Sequence, residues 1–178
     1  MSVEETVARW KAQEEAVRAR LLPTTGVSKA EQVAGKTGLE MLRSILAGEL
    51  PPPPIAATLD FVLLEAEAGH ALFQGRPLLR HYNPLGVVHG GWITAVLDSA
   101  MGCAVHSTLP AGKGYTTLEL KVNFVRAVTV DVPLVRAEGK LVHGGKQAAV
   151  AEGRLVGPDG KLHAHATTTC LIFDRKPL

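Results

Sequence analysis

Residues 90–106 constrain the fold more than any other stretch of this chain. Trp92, Ile93, Ala95, Val96, Leu97, Ala100, Met101, Cys103, Ala104 and Val105 fall on every face of a helix there. Such a helix has to be enclosed nearly all round. The flanking segments predict what encloses it. Residues 115–125, 132–143, 146–156 and 162–173 read as strands, with turn signals at Pro110-Ala111-Gly112, Val130-Asp131, His143-Gly144-Gly145 and Gly157-Pro158-Asp159-Gly160. The last three form a meander. Upstream, 56–66 and 70–76 read as two more strands split by Glu67-Ala68-Gly69. Two strands, one buried helix, then four strands predict an α+β fold, a single antiparallel sheet of about six strands around one central helix. One helix covers only part of one sheet face, so N-terminal helices or a second copy must close the rest.

Residues 1–50 read as a helical extension. Ser2 with Glu5 forms a capping box, and Val3, Val7, Trp10, Val17 and Leu21 then share a face. Glu14 interrupts that stripe where an apolar residue is expected, which favours packing on this protein's own domain or dimer over a dedicated coiled coil. Pro23 to Gly26 end the helix. Two more capping boxes, Ser28 with Glu31 and Thr37 with Glu40, follow, the second opening a helix with Leu39, Leu42, Ile45 and Leu46 inward. Pro51 to Pro54 form a stiff linker, and residues 55–178 make the main domain.

At 178 residues the chain suits one domain, and 46% hydrophobic residues suffice for a core. Nineteen basic against seventeen acidic residues leave +2, too balanced for a nucleic-acid or membrane polycation. Aromatic residues, at 4%, are too few for a base-stacking surface. No apolar run reaches the ~18–20 residues that span a bilayer. The start Met1-Ser2-Val3-Glu4-Glu5 lacks a basic, apolar leader, and Cys103 and Cys170 stand alone in apolar runs as reduced thiols do. A cytoplasmic protein without partners among nucleic acids or membranes is expected. His163 and His165 share a strand face, but two histidines are too few for a metal site, and none is expected.

The chemistry gathers in Asn83-Pro84-Leu85-Gly86-Val87-Val88-His89-Gly90-Gly91 and the helix it enters. Asp98 sits among Ala95, Val96, Leu97, Ala100 and Met101. A carboxylate there is either a structural acid satisfied by nearby groups or one held partly dry to act as base or nucleophile. Gly90-Gly91 opens the helix, where the first amides lack internal partners and favour negative charge. Without side chains they admit a ligand oxygen as an oxyanion hole does, or they form a plain loop-to-helix turn. His89 and Asn83 flank them as supports of that hole or as ordinary turn residues. Eight residues separate Gly90 from Asp98, about 12 Å along a helix. One helix cannot bring both to one carbonyl. Two antiparallel copies can, so joint catalysis by both residues requires a site between subunits, with two such sites per dimer.

The run N-P-L-G-V-V-H-G-G-W-I-T-A-V-L-D-S-A-M-G, followed by Tyr115-Thr116-Thr117-Leu118-Glu119-Leu120-Lys121-Val122-Asn123-Phe124-Val125-Arg126, closely resembles the PaaI-like acyl-CoA thioesterases of the hotdog-fold superfamily. The resemblance spans about residues 55–173. It implies a curved antiparallel sheet around a long helix, homodimers joined edge to edge and often paired into homotetramers, and hydrolysis of an acyl-CoA to a free acid and CoA. No separate cofactor is implied, because coenzyme A is part of the substrate. Carried over, the pattern gives the oxyanion amide to Gly90, support to His89 and Asn83, and the role of base or nucleophile to Asp98 of the partner chain. Thr116 falls where some relatives hold a water-positioning hydroxyl, and Thr117 can substitute for it. Gly102 stands one turn after the acid, where relatives using Glu carry Thr. Gly91 joins the substrate site. Arg126 and Lys146 are the first candidates for the CoA phosphates, and the acyl group would run along the helix past Trp92, Met101, Leu85 and Val88, which core packing explains equally well. Regular alternation would put Glu119, Thr117, Lys121 and Asn123 on one face. A hotdog-fold hydratase and a non-catalytic acyl-CoA-binding protein are the alternatives.

Overall fold

The structure is a computed structural model that describes residues 2–175. Helices α1 (Val3–Arg18), α2 (Ala30–Val33), α3 (Gly38–Leu46) and α4 (Pro54–Leu59) precede strands β1 (Phe61–Glu67) and β2 (His70–Gly75). The long helix α5 (Gly90–His106) follows, then β3 (Lys113–Phe124), β4 (Val135–Gly144), β5 (Ala148–Val156) and β6 (Leu162–Asp174). The six strands form one antiparallel sheet in the order β1-β2-β4-β5-β6-β3. The hotdog arrangement read from the sequence is the one that forms. No helix among the described residues is long and apolar enough to cross a membrane.

Helix α5 lies in the concavity of the sheet with Val96, Leu97, Ala100, Met101, Ala104 and Val105 fully enclosed. It can lie that close because β4 offers Gly139, where a Cβ would strike the Ala100 carbonyl. Small residues on the facing strands, Ala137, Ala149, Ala151, Ala164 and Ala166, complete a close-packed layer.

The N-terminal extension wraps the β1 edge. All of Phe61–Leu64 is buried, although alternate residues of a strand point to opposite faces. Phe61 and Leu63 pack inward on the main core. Val62 and Leu64 point outward and are covered by Val17 near the end of α1 and Leu21 beyond it. Helix α3 sits on the other side, with Leu42 in the main core and Gly38 against the His106 carbonyl. An otherwise bare strand edge is thereby shielded. The β3 edge has no such cover among the described residues. The prolines before α4 are tied to the extension as well, since the Pro52 carbonyl accepts the Gly26 amide at 2.9 Å.

The gap at Glu14 has a physical answer. Glu14 is completely buried against the sheet, where its carboxylate meets Arg18 and Arg76 and accepts from Gln74 Nε2 at 2.6 Å. Burial alone would raise its carboxyl, but the bonds from Arg18, Gln74 and Arg76 outweigh burial and hold it below the ordinary range. Arg136 on β4 continues this patch, lying over Trp10 at 4.3 Å and donating to Gln13 and Gln74.

Three expectations need correction. The segment from 56 does not begin as a strand. Pro54 at the first helical position starts α4, Asp60 in a left-handed conformation (φ 50°) ends it, and β1 begins only at Phe61. Ser28 and Glu31 form no box, because Gln32 accepts the Lys29 amide instead and α2 starts at Ala30. Strand β4 starts at Val135 and not at 132, for Pro133 has no N–H to give to a ladder.

Candidate active site

Strand β3 carries a bulge between Thr117 and Glu119, opposite Cys170 and Thr169. Before it, Tyr115 and Thr117 pair with the inward residues Ile172 and Cys170. After it, Leu120 and Val122 pair with the inward residues Thr168 and Ala166. The bulge shifts the alternation, so Thr117 faces α5 while Glu119, Lys121 and Asn123 face outward. The expected shared face of Glu119 and Thr117 is therefore not observed.

Thr117 Oγ1 donates to Asp98 Oδ1 at 3.0 Å. That bond aligns the carboxylate and leaves Oδ2 unbonded among the described residues. Thr116 pairs with outward Leu171 and lies on the opposite face of the sheet from Asp98. Of the two candidate hydroxyls, the structure brings Thr117 to the acid. Asp98 itself is half-buried, on the side of α5 that faces the uncovered β3 edge.

Sequence reasoning left Tyr115 and His106 without roles, yet Tyr115 adjoins Asp98 and His106 packs beside Tyr115. Gly102, one turn beyond the acid, makes room for Tyr115, whose hydroxyl would stand 2.6 Å from a Cβ there. Burial, then the nearby Cys103, Asp98 and Cys170 groups, push the Tyr115 hydroxyl well above its ordinary range, so it stays protonated. The His106 ring lies 5.6 Å from that of Tyr115. Burial, helped by the Arg175 charge, pushes His106 down to about 4, so it is neutral at pH 7. The spacing of Tyr115 and Thr117, two apart on a strand, was the available signal.

At the other end of α5, His89 is the N-cap and its Nδ1 accepts the Gly91 amide at 2.9 Å. The Gly91 donor is thus occupied. The Gly90 amide, first in the helix, has no partner among the described residues. Phe124 lies over Gly90, with its ring 3.0 Å from where a Cβ would stand. Gly90, Ile93, Phe124, Arg126 and Val128 line a cleft of about 390 Å³. Asn83 shapes the preceding loop, its Oδ1 accepting the Leu85 and Val87 amides at 2.9 and 3.4 Å. Among the described residues its side chain forms no hydrogen bond with His89 or Gly90. The loop is tied down by the His89 amide on the His81 carbonyl and the Val88 amide on the Val128 carbonyl.

The substrate-binding candidates separate. Arg126 is exposed at the Gly90 cleft, its amide bonded to the His163 carbonyl. Lys146 is exposed at a different depression, of about 540 Å³, shared with Lys113. Its neighbour Gln147 accepts the Ile172 amide. The nine residue steps of β6 from His163 to Ile172 span about 30 Å, so Arg126 and Lys146 stand at opposite ends of the sheet. Trp92 and Met101 are buried in the core. Trp92 stacks on His81 and donates to the Leu59 carbonyl, and Met101 fills the space left by Gly153. No group of three or more His, Cys, Asp or Glu among the described residues is placed to hold a metal.

Comparison with known proteins bears on this geometry. The thioesterase superfamily model matches residues 85–164, which include Gly90, Asp98 and Thr117. A phenylacetic acid degradation-related protein from Ralstonia eutropha is 33% identical, 76% of this chain covering 99% of that one at a TM-score of 0.67. A mutant of the phenylacetic acid degradation protein PaaI from Thermus thermophilus is 25% identical, over 66% of this chain and 97% of that one, with a TM-score of 0.60. A hypothetical thioesterase from Streptococcus pneumoniae, solved with coenzyme A, is similar in fold at 21% identity, over 65% and 88%, with a TM-score of 0.59. No curated protein sequence matches the chain.

Proposed function

Since the chain belongs to the thioesterase superfamily, in its PaaI-like branch, we propose that it hydrolyses acyl-coenzyme A thioesters at a site shared by two copies. The observation that carries this reading is the Thr117–Asp98 bond at the uncovered β3 edge. A half-buried acid, aligned by a hydroxyl and open toward that edge, is equipped to activate water. The nearest free helix-start amide of its own chain is about 12 Å away.

A second copy supplies the missing donor. Thr117, beside Asp98, and Phe124, beside Gly90, lie on the same free strand. Two β3 strands paired antiparallel about an axis near Leu120 and Lys121 set Gly90 of one copy against Asp98 of the other. The same pairing brings Lys146 of the second copy to the end where Arg126 stands. Two cations that are far apart in one chain then serve one ligand. This suits the phosphates of coenzyme A, which the Streptococcus pneumoniae relative was solved with.

The thioester oxygen accepts the Gly90 N–H. Asp98 takes a proton from water, and the resulting hydroxide attacks the carbonyl carbon. The negative charge that develops on oxygen is stabilised by the Gly90 amide and the helix start. Collapse breaks the C–S bond, and the proton on Asp98 passes to the departing thiolate, giving free acid and coenzyme A.

A thiol-release assay over acyl-CoAs from acetyl to palmitoyl tests the reading. Release is expected from at least one, with kcat lowered at least a hundredfold in Asp98→Asn while KM stays within a few-fold. Substrate binding without thiol release from any of the panel would refute it.

A further inference from the structure

A second apolar space lies at the β1 end of the sheet, away from the β3 edge. It is a cavity of about 280 Å³ between the N-terminal extension and the sheet. Leu42 and Ile45 of α3, Ala56 of α4, and Phe61 and Phe73 of β1 and β2 supply its walls, and Cys103 of α5 its inner end. Every lining residue but Cys103 lies outside the part of the chain matched by the family, residues 85–164.

The lining says what the cavity accepts. Its one ionic side chain is Arg18, whose Nε and one Nη already bind Glu14 and Asp60. An anionic headgroup finds no free cation there, whereas an uncharged alkyl chain meets apolar walls throughout. Cys103 stands five residues beyond Asp98, about 7.5 Å along the helix. The only residue between them on the outer side is the small, half-buried Ser99.

We infer that this cavity receives the end of the alkyl tail of the acyl group, and that the N-terminal extension thereby makes the enzyme selective for unbranched long chains. The inference rests on the thioesterase reading and deepens it. At ~30 Å³ for a water-sized group, the volume holds the last nine or so carbons, and the ~7.5 Å from Asp98 to Cys103 takes about six before them. The tail runs from a carbonyl held beside Asp98, over Ser99, and under α3. It does not follow the line of Trp92 and Met101, which is filled by core packing.

The test is kinetic. In the wild type, kcat/KM should rise from octanoyl- to palmitoyl-CoA, by up to about fourfold per methylene, and level off beyond. Ala56→Phe fills the cavity and should lower the ratio of palmitoyl to acetyl kcat/KM at least tenfold. Ile45→Ala enlarges it and should move the preferred length upward by one or two carbons. A wild-type profile flat from acetyl to palmitoyl, or an unchanged ratio in a folded Ala56→Phe protein, overturns the inference while leaving hydrolysis standing. Calorimetric titration with decanoate separates the two failures. One site per chain, weakened tenfold by Ala56→Phe, supports the cavity even where no thioester is cleaved. No decanoate binding to the wild type counts against it.

Discussion

In the proposed mechanism the Thr117 hydroxyl is the smallest group on which a measurable part of the chemistry turns. A hydrogen bond to a charged partner contributes about 1.5–3 kcal/mol, and here it holds Asp98 Oδ1 and leaves Oδ2 to the proposed water. Thr117→Val should therefore lower kcat about ten- to a hundredfold with KM little moved, and Thr117→Ser should restore most of it. Thr116→Val, on the other face of the sheet, should cost far less. Steady-state kinetics on the four proteins checks the order, and equal losses at 116 and 117 would remove the bond from the mechanism. Sequence alone left both threonines open, because regular alternation cannot tell which of two adjacent residues faces inward. The bulge that decides it depends on pairing with β6.

At the scale of elements, α1 is held by an ionic cluster where pattern reading looks for apolar contact. Glu14→Gln leaves Arg18 and Arg76 without their shared anion. Each arginine side chain keeps more than a third of its surface exposed. The cost should therefore fall below the ~3–5 kcal/mol of a fully buried broken pair, at about 2 kcal/mol, and lower Tm by roughly 4–8 °C. The pH dependence follows from the depressed carboxyl. The unfolded chain protonates Glu14 near the ordinary value and the folded chain only below it, so its contribution is full at neutral pH. It is lost as pH falls below about 4.5 through the folded value. Melting temperatures of wild type and Glu14→Gln should thus converge as the pH is lowered, and a gap that widened on acidification would contradict the assignment. Strands β2, β3, β5 and β6, by contrast, were legible to within two residues. Helix α5 and strands β5 and β6 begin and end within two residues of the expected bounds, because period and turn residues agree there. Helix α4 was hidden because Ile55 to Leu59 suits a short helix and a strand alike, and only the Pro54 start and the Asp60 turn distinguish them.

For the whole molecule the decisive asymmetry is between the two sheet edges. The β1 edge is clasped by α1, α3 and α4, whereas β3 presents Leu118 and Phe124, 61% and 54% exposed, beside the candidate site. If two copies share each site, two different lesions should complement one another. Gly90→Pro removes the donor N–H at a helix position that tolerates proline, and His89, with ψ 134°, already has the backbone shape that a following proline requires. Asp98→Asn removes the base. Each variant alone should be inactive. In a mixed dimer one site combines both lesions, while the other joins Gly90 of the Asp98→Asn chain to Asp98 of the Gly90→Pro chain and is intact. Random assortment of co-expressed chains makes half the dimers mixed, so thiol release should return to about a quarter of the wild-type rate. A site contained within one chain restores nothing, because every chain then carries a lesion in its own site.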